Sequence, residues 1–260
     1  MATKISKPPQ NQRQTNRVMC LAYGLVALLF WLVAISPVAA ATAESDNPFA
    51  VRAEANYSRA KERFHSEPEN AEAAWQFGRA CFDWFEFAPA EKKADIATEG
   101  IAACEKAIAL KPDSAPAHYY LGLNKGRLAD TKRNLSGLSL VKEMEKALKK
   151  AIALDPQFDF AGPDRSLGML YAEAPGWPLS VGHKSKARQH LTRAIELAPD
   201  FPDNRLSYIE ALLNWKEFAK ASEEIEALEA RWAKARETLR GEAWTQSWAD
   251  WEKRLAKAKS

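Results

Sequence analysis

The chain is poor in the residues that favour sheets and tight turns. Glycine occurs 11 times in 260 residues, and Ala, Leu, Glu, Lys and Arg are common. That balance disfavours a barrel or sandwich and points to helix. There is no G-x-x-x-x-G-K-[ST] run, no H-E-x-x-H and no C-x-x-C. These absences remove the sequence signals of a phosphate cradle, a zincin and a dithiol redox site. Ser58-x-x-Lys61 and Ser139-x-x-Lys142 resemble a serine–lysine nucleophile, but the companion Lys-Thr-Gly is missing, so both are read as chance. No enzyme is expected, and no cofactor.

Acidic residues are also missing from the first 43 positions, where Lys4, Lys7, Arg13 and Arg17 precede an uncharged apolar run over 18–35. Ser36-Pro37 and a small-residue stretch through Ala43 follow. This order matches a secretory signal, with cleavage expected after Ala41 or Ala43. An uncleaved anchor is the alternative, because 18 apolar residues just span a bilayer. Either way the body is expected outside the cytoplasm, periplasmic or secreted, with membrane contact only if the leader stays attached. Removing the four leader cations from 37 Lys and Arg leaves 33, against 34 Asp and Glu, a net of −1. A near-neutral body gives no reason to expect nucleic acid. Cys81 and Cys104 follow the leader, and the sequence leaves open whether they form a disulfide or pack as thiols.

What is abundant is repetition. Cys104-Glu-Lys-Ala-Ile-Ala-Leu-Lys-Pro112, Leu148-Lys-Lys-Ala-Ile-Ala-Leu-Asp-Pro156 and Leu191-Thr-Arg-Ala-Ile-Glu-Leu-Ala-Pro199 read alike, with prolines 44 and 43 residues apart; Pro68 lies another 44 before Pro112. Each marks a helix end. Gly78, Gly122 and Gly168 recur in the preceding helices, and Ala107, Ala151 and Ala194 in the following ones. The period predicts an all-α tetratricopeptide-like solenoid of helical hairpins with enlarged inter-helix connections, at 87–98, 130–140 and 175–183. The expected organisation is a leader over 1–43, a repeat domain over 44–240 and a C-terminal capping helix over 241–260. In the last, Trp244, Trp248, Trp251 and Leu255 share one helical face.

Several segments are more specific than a generic repeat. They are His118-Tyr119-Tyr120-x-Gly122-x-Asn124-x-Gly126-Arg127, Ala161-Gly162-Pro163-x-Arg165-x-Leu167-Gly168-x-Leu170-Tyr171, Pro175-Gly176-Trp177-Pro178, Gly182-x-x-x-Lys186-Ala187-Arg188-x-His190-Leu191 and Glu196-Leu197-Ala198-Pro199-Asp200. Over about 50–230 the chain resembles the tetratricopeptide-like T-component family of TRAP transporters. That resemblance implies an exported helical accessory of solute uptake, working beside a periplasmic solute-binding protein and able to form homo-oligomers. The chain departs from the family in lacking a lipoprotein cysteine after the apolar run, and in having His183 where a capping Asp is usual. The regulators of microtubule dynamics share the repeat style, but the leader and the Pro-Gly-Trp-Pro segment weigh against them. Other readings left open are an assembly scaffold unrelated to transport and a direct binder of a small apolar or acidic ligand.

The inserts direct attention to aromatic and arginine side chains at the helix ends. Phe85, Tyr119, Tyr171 and Trp177 are candidates for an apolar cleft, with inter-helix packing as the alternative. Arg127, Arg165 and Arg205 are candidates for binding a carboxylate at its mouth, with surface ion pairing as the commoner alternative for each, and Asn124 joins them as a ligand or partner contact.

Overall fold

The computed structural model describes residues 47–132 and 135–260. The leader expected over 1–43 lies outside the described residues. Ten α-helices follow in order: α1 (Pro48–Ser66), α2 (Ala71–Phe85), α3 (Lys93–Leu110), α4 (Ala115–Thr131), α5 (Leu135–Leu154), α6 (Phe158–Glu173), α7 (Lys184–Leu197), α8 (Pro202–Asn214), α9 (Phe218–Thr238) and α10 (Thr245–Ala258). There is no strand among the described residues, and the chain forms the expected tetratricopeptide-like solenoid.

The helix ends follow the punctuation of the sequence. α1, α3, α5 and α7 each stop two residues before a proline, at Pro68, Pro112, Pro156 and Pro199. The next helix is then capped locally. Asn70 Oδ1 accepts from the Glu72 and Ala73 amides at 2.9 and 3.2 Å, and Ser114 Oγ accepts from the Ala117 amide at 3.4 Å. α8 instead opens on Pro202, whose missing N–H suits a first turn. His183 does supply a cap: its Nδ1 accepts from the Lys186 amide at 3.5 Å, a long bond in place of the usual carboxylate.

α2/α3, α4/α5, α6/α7 and α8/α9 form antiparallel pairs, with α1 against α2. The recurring small residues set their spacing. Ala107, Ala151 and Ala194 have no exposed surface. A Cβ on Gly122 would lie 3.1 Å from Leu148, and one on Gly168 would lie 2.7 Å from Leu191 Cγ. Cys81 and Cys104 are both buried free thiols, so the disulfide is not formed; burial pushes both thiol pKa values up.

The extra length of the three repeats is taken up differently in each. Between α2 and α3 it is a connection containing a 3-10 turn at Ala90–Lys92. Between α4 and α5 it is mostly helix, since α4 continues to Thr131 and α5 starts at Leu135. Between α6 and α7 it is a loop without helix, over 174–183. That loop is closed by backbone bonds from Gly182 N to Pro175 O (2.9 Å) and from His183 N to Tyr171 O (2.9 Å).

The entry to α6 is the irregular point of the stack. Asp159, Phe160 and Ala161 have φ of 51°, 53° and 62°, left-handed values in three consecutive non-glycine residues. Each costs about 1–2 kcal/mol relative to the right-handed helix. The turn is held from several sides. Asn204 Nδ2 donates to Phe160 O at 3.0 Å, and the Phe160 ring stacks on Phe201 at 4.4 Å. Tyr119 Oη donates to Asp159 Oδ2 at 3.3 Å.

α10 closes the far end of the solenoid. Trp248 and Trp251 are buried against Phe201, Leu206, Ile209 and Leu228 of the last pair, and Trp248 Nε1 donates to Leu239 O at 2.8 Å. Trp244 falls in a short 3-10 turn ahead of the helix and meets Phe160 and Phe201 edge-on. Without α10 the large apolar surface of α8 and α9 would face water.

Candidate functional site

The first helices of all four pairs contribute to one cleft of about 630 Å³. Phe82 comes from α2, Leu123, Gly126, Arg127 and Asp130 from α4, and Val141 and Met144 from α5. α6 supplies Arg165, Ser166, Met169, Leu170 and Glu173; the 174–183 loop adds Ala174 and Pro175, and α8 adds Ser207. The positions on α4 and α6 recur at spacings of three and four, the period of one helix face. The volume lies within the range of about 300–1,000 Å³ typical of ligand pockets.

Arg127 sits over two rings, with its guanidinium carbon 4.8 Å from the Phe82 centroid and 5.1 Å from that of Phe85. Its Nη2 donates to Glu86 Oε2 at 3.1 Å. Arg165 is buried and nearly saturated. Its Nη1 donates to Asn204 Oδ1 at 2.8 Å, its Nε lies 3.1 Å from Asp203 Oδ2, and its Nη2 lies 3.5 Å from Asp159 Oδ2. Desolvation pulls the Asp203 carboxyl up, but the charges of Arg165 and Arg254 outweigh it and leave the pKa below its usual value. Asp159 moves the other way: burial raises it more than Arg165 and Arg79 lower it. Arg254 of α10 extends this network, with Nη1 donating to Asp203 Oδ1 at 2.6 Å and Nε to Glu210 Oε1 at 2.8 Å.

Of the eight residues singled out from the sequence, only Arg127 and Arg165 line the cleft. Phe85 is in the core of the first units, beneath Arg127. Tyr119 and Tyr171 are buried, and Tyr171 Oη donates to Glu145 Oε1 at 2.6 Å. Asn124 has no exposed surface; its amide donates to Gly78 O (2.8 Å) and Tyr120 O (2.9 Å), stapling α4 to α2. Arg205 lies outside the cleft, paired with Glu224 of α9. Trp177 is the opposite case: 89% exposed, it stands at the tip of the 174–183 loop with Leu179, which is 65% exposed. Of the two fates open to the arginines, ligand binding and ion pairing, the second is found. The structure shows them already answered by the protein's own carboxylates. Met144, Met169, Asp130 and Glu173 were missed, although their spacing on α4, α5 and α6 marks a common face.

The class defined by this fold is the tetratricopeptide-like helical solenoid. The pattern of the family described as regulator of microtubule dynamics protein 1-3 matches residues 41–161, or 121 of the 260. Among solved structures, the chain is similar to TTC0263, a thermophilic TPR protein of Thermus thermophilus. The TM-score is 0.57 at 19% identity, covering 80% of this chain and 91% of that one. It is also similar to MamA, with a TM-score of 0.50 at 20% identity, covering 70% of this chain and 92% of the other. No curated protein sequence matches the chain.

These findings overturn the resemblance to the TRAP transporter T-component, and leave the solute-binding-protein partner that rested on it without support. The pattern of the repeat family set aside at that point matches residues 41–161. The reason lies in what the quoted segments do. Gly122, Asn124, Leu167, Gly168 and Tyr171 are packing and close-approach residues, which stacked hairpins require whatever their function.

Proposed function

We propose that this protein is a non-enzymatic binding scaffold that holds a segment of a partner protein in the cleft formed by α2, α4, α6 and α8. The observation that carries this reading is the cleft itself: about 630 Å³, with Phe82, Leu123, Val141, Met144, Met169 and Leu170 in its lining. Its arginines are engaged in fixed ion pairs rather than poised beside a nucleophile or base. The exposed Trp177 and Leu179 beside the cleft at Pro175 add a second apolar contact for the same partner. The leader pattern supports a working place outside the cytoplasm; a fusion to a reporter active only after export tests that assignment.

Filling the cleft tests the binding role. Met144→Trp and Met169→Trp place a bulky ring in it, while Lys220→Trp on exposed α9 serves as the control. Cross-linked complexes should be lost in the first two variants and kept in the third, with helical content unchanged in all. Retention of every complex by folded cleft variants would refute the reading.

A further inference from the structure

The charges around the cleft do not cancel. Arg127 is met by Glu86 at 3.1 Å, and Arg165 by Asp203 and Asp159 at 3.1 and 3.5 Å. The two other charged residues lining the cleft, Asp130 at the end of α4 and Glu173 at the end of α6, have no ion-pair or hydrogen-bond partner among the described residues. They lie close enough to act on each other. Glu173 is raised by desolvation first and then by the negative charges of Glu210 and Asp130, and Asp130 is raised by desolvation, partly offset by the positive charge of Arg127. Glu210 is already bound to Arg254. The cleft therefore presents an apolar lining of Leu123, Val141, Met144, Met169 and Leu170 beside two carboxylates that have no ion-pair partner among the described residues. An occupant that buries only apolar groups leaves those carboxylates further desolvated and unpaired, which is unfavourable. An acidic occupant adds repulsion.

Building on the scaffold reading, we infer that the occupant of this cleft is a basic amphipathic segment of a protein. Its apolar residues fill the space between α4, α5 and α6, and a lysine or arginine on its border pairs with Asp130 and Glu173. An amphipathic helix laid into a hydrophobic groove has the matching geometry, with anchors three and four residues apart. A small organic cation lacks the apolar length to cover five aliphatic and thioether side chains, so a peptide segment fits better.

The test is a fluorescence-anisotropy titration of the full chain with two labelled amphipathic peptides of identical leucine spacing, one with lysine and one with glutamate on the polar face. The lysine peptide should bind, and the glutamate peptide should bind at least tenfold more weakly. Asp130→Asn combined with Glu173→Gln should weaken the lysine peptide by roughly three- to tenfold at low salt, as expected for two partly exposed ion pairs. It should also flatten the salt dependence. Met144→Trp should abolish binding of the lysine peptide. Equal binding of the two peptides, with both blocked by Met144→Trp, would leave the cleft as a docking site and overturn the basic-partner inference alone. Binding of the lysine peptide that Met144→Trp does not affect, or no binding of either peptide, would overturn both.

Discussion

The most local test of the hairpin geometry is Gly168→Ala. In a helix this change gains about 1 kcal/mol from reduced backbone entropy in the unfolded chain. At this position the added methyl would sit 2.7 Å from Leu191 Cγ, 2.9 Å from its Cδ2 and 3.1 Å from its backbone nitrogen. Leu191 has no exposed surface, and neither its branch carbon nor its backbone can swing aside. Overpacking of this kind costs about 1–3 kcal/mol, so the net expectation is a loss of about 0–2 kcal/mol. Leu191→Ala alone should cost about 2–5 kcal/mol by leaving a cavity. In the double variant the methyl enters the space that the leucine vacates. The combined loss should then fall short of the sum by about 1–2 kcal/mol. Urea melts followed by circular dichroism at the helical band would give the four corners of the cycle. Gly126→Ala is the contrast, because its nearest neighbours are the thioether sulfur and methyl of Met144 at 2.9 and 3.4 Å, which can rotate away. Additivity within about 0.5 kcal/mol, or a Gly168→Ala variant more stable than wild type, would show that α6 and α7 are not pressed together there.

Asn124→Ala should destabilise by about 2–4 kcal/mol, because it removes two buried hydrogen bonds, one from α4 to Gly78 O of α2 and one to Tyr120 O within α4, and leaves a hole; a thermal-midpoint change under 2 °C would count against the staple. Trp251→Ala should cost about 3–5 kcal/mol and expose the α8/α9 face, read as a lower urea midpoint together with dye binding to apolar surface. Asp203 titrates below its unfolded value, so its contribution is complete above about pH 4 and is lost as the pH falls through the lower folded value. Tryptophan emission from the α10 cap should accordingly shift red only below about pH 4, and Arg254→Gln should weaken that dependence; a cap transition near neutrality would contradict it.

Much of the scaffold could be read from the sequence because it is written in periods. Proline every 43 or 44 residues ends four helices, and the small residues between them mark the lines of closest approach. Trp248 and Trp251 share a face of α10, and that face is buried, while Trp244 falls ahead of the helix. The site was far less legible. Aromatic residues near helix ends serve packing and binding with one chemistry, and the sequence does not say which way a ring points: Tyr119 and Tyr171 turn inward, Trp177 outward. The partners of the arginines were not legible because they are remote in the chain. Arg165 meets Asn204 39 positions away, and Arg127 meets Glu86 41 positions away. The cleft lining itself was readable as i, i+3, i+4 spacing on α4 and α6, but the stronger repeat signal of the packing face concealed it.

The left-handed turn at 159–161 connects these features. It places Asp159 beside Arg165 and Phe160 against Phe201 and Trp244, so one irregular segment touches both the cleft and the cap. Its conformational cost of about 1–2 kcal/mol per residue must be offset by its contacts. Those contacts come from Asn204 on α8, Tyr119 on α4 and Trp244 ahead of α10. Arg165 and Arg254 also share Asp203, which links the buried cation of the cleft to the terminal helix through one carboxylate. Removing α10 would therefore release support from the turn and one of the two cations on Asp203 together. The geometry of the cleft depends on the closure of the solenoid more than 80 residues further along the chain, so a cap defect should weaken binding without altering any residue that lines the cleft.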